Sequence, residues 1–250
     1  AVNKRPFALA ISICSALVLG ACGESTTVGP QSVTVIGDTK PLGNSSISTF
    51  ARVDNTGTVT AFGASFGAAA LSGLPATRTE TILALPAAAV SAGPFTFFTV
   101  NWQPQGHPPP GVYDVPHFDF HFYTITDAAR MAIPFGPATN PPPAAAVPPG
   151  YVSDPVTIPM MGTHYTDSSA PEFHGQAFTA TFVYGYYAGA MAFVEPMTAL
   201  SFLTTKQAYD AAIKQPAMYQ KPGLYPTHYS VTFDANSSTY TLTLDRLVRQ

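Results

Sequence analysis

His117-Phe118-Asp119-Phe120-His121-Phe122-Tyr123 alternates polar and aromatic residues with a period of two. On a β-strand, successive side chains point to opposite faces of the sheet. One face of this stretch then carries Phe118, Phe120 and Phe122, and the other carries His117, Asp119, His121 and Tyr123. The pattern predicts a strand whose aromatic face enters a core. Its polar face lines up three groups able to bind a metal or carry a proton.

Similar short runs, alternating or β-branched and separated by turn signals, lie on either side. They cover residues 32–36, 47–53, 58–66, 79–85, 95–102, 117–126, 178–184, 190–194, 229–233 and 239–244. Asp54-Asn55-Thr56-Gly57 reads as a hairpin turn between two of them. About ten strands at this spacing predict a mainly β, single-domain barrel or sandwich over residues 32–250. One short helix is expected near 204–215, where Thr204-Thr205-Lys206-Gln207 fits a capping box and Pro216 stops the run. Residues 137–150 are rich in Pro and Ala and predict a loop of polyproline character within that domain, since histidines lie on both sides of it.

The N-terminal part has a different character. Lys4 and Arg5 precede a largely apolar run over residues 7–19, too short for a stop-transfer helix. It ends in Leu19-Gly20-Ala21-Cys22, which resembles the lipobox of bacterial lipoproteins. The expectation is a signal peptide over residues 1–21, lipidation of Cys22, and a tether over 22–31 that attaches the domain to a membrane. By the same resemblance, Gly23 in place of Asp favours the outer membrane if the organism is Gram-negative. Cys14 then leaves with the signal and Cys22 is acylated. No cysteine remains for a disulfide, thiol catalysis or a Cys-type metal site, so any metal must be held by His, Asp and Glu.

Composition narrows the function classes. Of all residues 46% are hydrophobic and 10% charged, which fits a globular chain with ample core. Without residues 1–21, 9 basic residues face 14 acidic ones and no Lys/Arg cluster remains. A nucleic-acid partner is not expected.

Five of the six histidines fall between His107 and His174, with Asp114, Asp119, Asp167 and Glu172 in the same windows. Glu172-Phe173-His174 repeats the alternation and suggests a second strand of the same kind. Residues two apart on a strand are about 6.6 Å apart and residues four apart about 13 Å. His117 and His121 therefore should not share one ion without a bulge. A better site takes Asp119 with His117 or His121 and adds donors from another element, with His164 and Glu172 as the best on offer. The candidate set is His117, Asp119, His121, His164 and Glu172, suited to a divalent transition metal such as zinc, copper, iron or manganese. Two other readings stay open: a metal-free acid/base or small-ligand site, and a structural network in which Asp119 holds the rings in place. Glu195 ends a strand and reads as an exposed terminus or as a residue facing the same cavity. Tyr184, Tyr186 and Tyr187 read as core, or as the lining of an apolar pocket. No G-x-S-x-G elbow, phosphate loop or H-E-x-x-H is present.

Five motifs follow one another in order: Asn101-Trp102-Gln103-Pro104-Gln105-Gly106-His107, residues 116–123, Met161-Gly162-Thr163-His164-Tyr165, Phe182-Val183-Tyr184-Gly185 and Glu195-Pro196-Met197-Thr198. Together, over about residues 41–203, they resemble a family of uncharacterised bacterial secreted proteins and lipoproteins, the Thermus-type sigma-E-regulated domain of unknown function. The resemblance implies a single β-rich, envelope-associated domain with no established activity. It places His107, His117, Asp119, His121, His164 and Glu195 on motif positions, and not His174. Three functions follow as expectations: a lipoprotein of the envelope that binds a metal or small ligand; a metal-dependent enzyme that activates water or polarises a carbonyl; and a structural or homo-oligomerising envelope protein.

Overall fold

Phe118, Phe120 and Phe122 lie along one face of the strand His117–Tyr123 and enter the apolar core between two antiparallel sheets. The structure, a computed structural model, describes Ala1 and residues 32–250. The expected signal peptide, the lipidated Cys22 and the 22–31 tether lie outside the described residues.

One sheet has six strands in the order Val33–Leu42, Ser45–Val53, Val59–Gly67, Thr239–Asp245, His228–Asp234 and Tyr209–Ala212. The other has seven, in the order Thr79–Ala84, Phe97–Gln103, His117–Tyr123, Ala190–Ala199, Ala180–Tyr187, Thr163–Asp167 and Tyr151–Ser153. Neither sheet closes on itself, so of the two expected architectures the sandwich stands and the barrel does not. The sheets meet through aromatic rings. Phe62 contacts Phe122 at 5.5 Å between centroids, and Phe66 stacks on Phe120 at 6.1 Å. Pairs of this kind add about 0.5–1.5 kcal/mol each beyond the area they bury.

Two sequence expectations are corrected. Instead of one short helix at residues 204–215, the described residues form three short α-helices, Ala87–Ala92, Asp127–Met131 and Leu200–Thr205. Thr204 and Thr205 end the last of these: their hydroxyls bond back to the carbonyls of Ser201 and Phe202, and Lys206 caps it with φ +59°. Residues 209–212 are strand, because Tyr209 and Ala211 alternate with exposed Asp210 and Ala212 and pair with the strand His228–Asp234. Glu172-Phe173-His174 is also not a strand. Pro171 starts a single 3-10 turn, Pro171–His174, and left-handed Gly175 stops it.

The central strands of the seven-stranded sheet are buried on both faces. All seven residues of Phe97–Gln103 and of His117–Tyr123 are buried. Excursions from the strand ends cover its outer face. Tyr113 and Phe178 pack on Val183, Met197 and Ala199, while Met161 packs with Phe97, Tyr123 and Phe193. A band of polar side chains is enclosed between these two apolar patches.

Candidate metal centre

The register of the central strands fixes the layout of that band. Asn101 pairs with Asp119 and Asp119 with Met197; Thr99 pairs with His121. Glu195 lies midway between Phe193, opposite Tyr123, and Met197, opposite Asp119, which sets it across from His121. Val183 pairs with Glu195, Gly185 with Phe193, and His164 with Gly185. Strand alternation therefore puts His117, Asp119, His121, Glu195 and His164 on one face.

They form two clusters. The first is His107, His117 and Asp119; the second is His121, His164 and Glu195. Within each, one donor atom from every residue lies within 4.8 Å of the others. Each cluster contains two imidazoles and one carboxylate.

In the first cluster the rings are oriented from behind. His117 Nδ1 donates to the carbonyl of Val115 at 2.6 Å, and His107 Nδ1 to that of Pro108 at 2.8 Å. Each bond leaves Nε2 facing Asp119, at 3.0 Å from His117 and 3.8 Å from His107. The other Asp119 oxygen, Oδ2, accepts from Gln103 Nε2 at 2.8 Å. Orienting bonds of this kind are what metal ligands receive from their surroundings. His107 reaches the site through a turn at Gly106, whose φ of +67° brings the chain against Tyr113: the His107 N–H donates to the Tyr113 carbonyl at 3.0 Å.

Aromatic rings hold the second cluster. His121 stacks on Tyr123 at 5.6 Å, and both His121 and His164 meet Phe193 edge-on, at 4.9 and 5.2 Å. Gly185 makes room for the Phe193 ring, since a Cβ there would come within 2.0 Å of it. His121 Nε2 lies 3.3 Å from Glu195 Oε1, and His164 Nε2 lies 3.6 Å from Oε2.

These donors converge without bonding one another. His117 Nε2, Asp119 Oδ1, both His121 nitrogens and Glu195 Oε2 are buried side-chain atoms with no hydrogen-bond partner. They are five of the eight such atoms among the described residues. An unsatisfied buried polar group costs about 1–3 kcal/mol. A cation between the donors supplies a partner for four of these five atoms; the second nitrogen of the His121 ring cannot face the same ion.

Protonation suits that role. Burial pushes His121 down to about 3 and His164 down to about 4, so both rings are neutral near pH 7 with lone pairs free. Burial also opposes the charge on Asp119, but the adjacent His107 and His117 hold its carboxyl well below the usual range. Burial would lower His107, and the Asp119 carboxylate outweighs it and raises that ring. Glu195 is pushed well above the usual range by burial, then by repulsion from Asp119 and Asp154. A bound cation would draw off its proton.

Of the residues expected from sequence, His117, Asp119, His121 and His164 are in the clusters. They serve two sites rather than one, with His117 and His121 in different clusters as strand spacing required. Glu172 is in neither; its Oε1 accepts from the Tyr113 hydroxyl at 3.0 Å. Of the two readings of Glu195, the exposed strand end does not hold: the residue is 1% exposed and lines the cavity over the clusters. Its signal was the alternation Phe193-Val194-Glu195-Pro196-Met197, which sets it on the same face as its neighbours Phe193 and Met197. His107 carried no periodic signal because it sits on a loop.

A cavity of about 470 Å³ opens onto both clusters, touching His107 and Asp119 of one and His164 and Glu195 of the other. Two His₂-carboxylate sets under one cavity define a β-sandwich whose buried triads could hold metal ions. Among known families, the TTHB210-like family, described as "Hypothetical protein TTHB210" and of uncharacterised function, matches residues 54–102. That segment ends before His107 and carries none of the six cluster residues. No curated protein and no solved structure matches the chain.

Proposed function

We propose that this protein is a cell-envelope lipoprotein that binds divalent transition metal ions through His107, His117 and Asp119 and through His121, His164 and Glu195. The observation that carries the reading is the set of buried, unpartnered donor atoms, together with the backbone carbonyls that fix His107 and His117 with Nε2 facing inward. A donor set of imidazole and carboxylate, with no sulfur, suits zinc, iron, copper or manganese. The envelope location and the lipid anchor rest on Lys4, Arg5, the apolar run and Leu19-Gly20-Ala21-Cys22. The longer resemblance, over residues 41–203, to the sigma-E-regulated domain supports the same location.

The test is elemental analysis of the purified protein beside His117→Ala and His121→Ala. Two ions per chain are expected in the parent and one in each variant. A parent that takes up no zinc, copper, iron or manganese and gains no thermal stability from them would overturn the proposal. The cavity over the clusters favours a second reading, a metal-dependent enzyme in which an open coordination position holds water or a substrate carbonyl.

A further inference from the structure

The metal reading leaves the cavity itself unexplained. From the sheet side its floor is Gln103, Asp119, Glu195, Val183, Met197 and His164. Its roof comes from the loops, with Pro108–Pro110, Tyr113, Pro155, Val156, Ile158 and Met161. Apart from the cluster donors, most of this surface is hydrocarbon. Arg78, just before the strand Thr79–Ala84, also lines it. Arg78 is exposed and forms no salt bridge among the described residues.

The charge balance of this space depends on the ions. Without them, Glu195 is neutral and the carboxyl groups of Asp119 and Asp154 outnumber Arg78, so an anion finds no net attraction. With a divalent ion in each cluster, four positive charges are added against the one that Glu195 gives up with its proton, and the balance turns positive. The polar end of the cavity then attracts an anion, while the proline, valine and methionine walls exclude ions that have no apolar part. We infer that the cavity is a binding site for a small organic anion with an apolar body, its charged end directed at the ions and Arg78. This rests on the metal reading above and names the ligand class for that site. The volume is within the range of small-molecule pockets, about 300–1,000 Å³.

The experiment uses octanoate as the probe, with acetate (charge without a body) and octanol (body without a charge) as comparisons. Each is titrated calorimetrically into the zinc-loaded protein, the EDTA-treated protein and zinc-loaded Arg78→Ala, with zinc content measured in every sample. Octanoate is expected to bind the zinc-loaded parent one to one, and acetate and octanol about tenfold more weakly or less. EDTA treatment should abolish octanoate binding. Arg78→Ala should weaken it about tenfold at unchanged zinc content, the loss of one charge-assisted contact. A parent that holds zinc but ignores octanoate refutes this inference and leaves the metal reading intact. So does octanoate binding that survives EDTA or is unchanged in Arg78→Ala. A parent that holds no zinc refutes the metal reading, and this inference with it.

Discussion

Glu195→Gln separates a metal site from a structural ion-pair network. Glu195 is 1% exposed and faces His121 and His164, both neutral near pH 7. Its own carboxyl is pushed well above the usual range by burial. In the metal-free protein the three groups therefore form a neutral cluster, and glutamine copies the shape of the protonated acid. The substitution should cost less than about 1 kcal/mol without metal, against about 3–5 kcal/mol for removing one partner of a buried ion pair. With zinc at about a thousand times its dissociation constant, the intact second site should add about 4 kcal/mol of stability, and the variant should lose most of that. For a domain of this size the gap is about 8–16 °C in Tm. Urea unfolding of parent and variant, in EDTA and in excess zinc, measures both numbers. A variant already destabilised by several kcal/mol in EDTA, with no further gap in zinc, would refute the reasoning and make Glu195 a structural ion-pair partner.

Other outcomes follow from the same geometry. Gln103→Leu removes the donor to Asp119 Oδ2 and should weaken zinc binding at the first cluster about 10–100-fold, while the second cluster keeps its affinity; competition with a chromophoric chelator reads this. Gly185→Ala puts a methyl group into the Phe193 ring that lies against His121 and His164. It should cost about 1–3 kcal/mol in urea unfolding and lower zinc affinity at the second cluster, with the first unaffected. Metal-free protein should gain stability as pH rises from 4.5 to 6.5. There the unfolded chain binds protons at two histidines of ordinary pKa 6.5, and folded His121 and His164 do not. Glu195 acts with the opposite sign, because the folded state keeps a proton that the unfolded chain loses above 4.5. The net difference is about one proton near pH 5 and shrinks toward zero at pH 6.5, where the unfolded histidines are half deprotonated. The slope therefore falls from about 1.4 kcal/mol per pH unit to near zero across that range, measurable by urea unfolding.

The sandwich was legible because its strands are regular. Phe118, Phe120 and Phe122 alternate with polar residues, and the hairpin turn at residues 54–57 falls where Asp54 and Gly57 put it. Short strands with weak patterns were missed, such as Thr163–Asp167 and Tyr209–Ala212, whose place depends on the partner strand. The helix was misplaced because threonines bond to a carbonyl behind them as readily as to an N–H ahead. Half of the site was visible in one strand. The rest depended on which strands became neighbours, and only the pairing of Ala190–Ala199 with His117–Tyr123 brings Glu195 to His121. Nor could alternation show that the polar face is roofed over: an alternating strand usually has its polar side in water. Here loops bury it, and burial keeps His121 and His164 neutral.

Zinc-edge X-ray absorption on protein loaded with zinc and then desalted tests the central claim most directly. Two zinc ions should remain per chain, each with a first shell of nitrogen and oxygen at about 2.0–2.2 Å. The outer-shell scattering should be that of imidazole, two rings per ion. Zinc lost on desalting, or a shell of oxygen alone with no imidazole signal, would contradict the account.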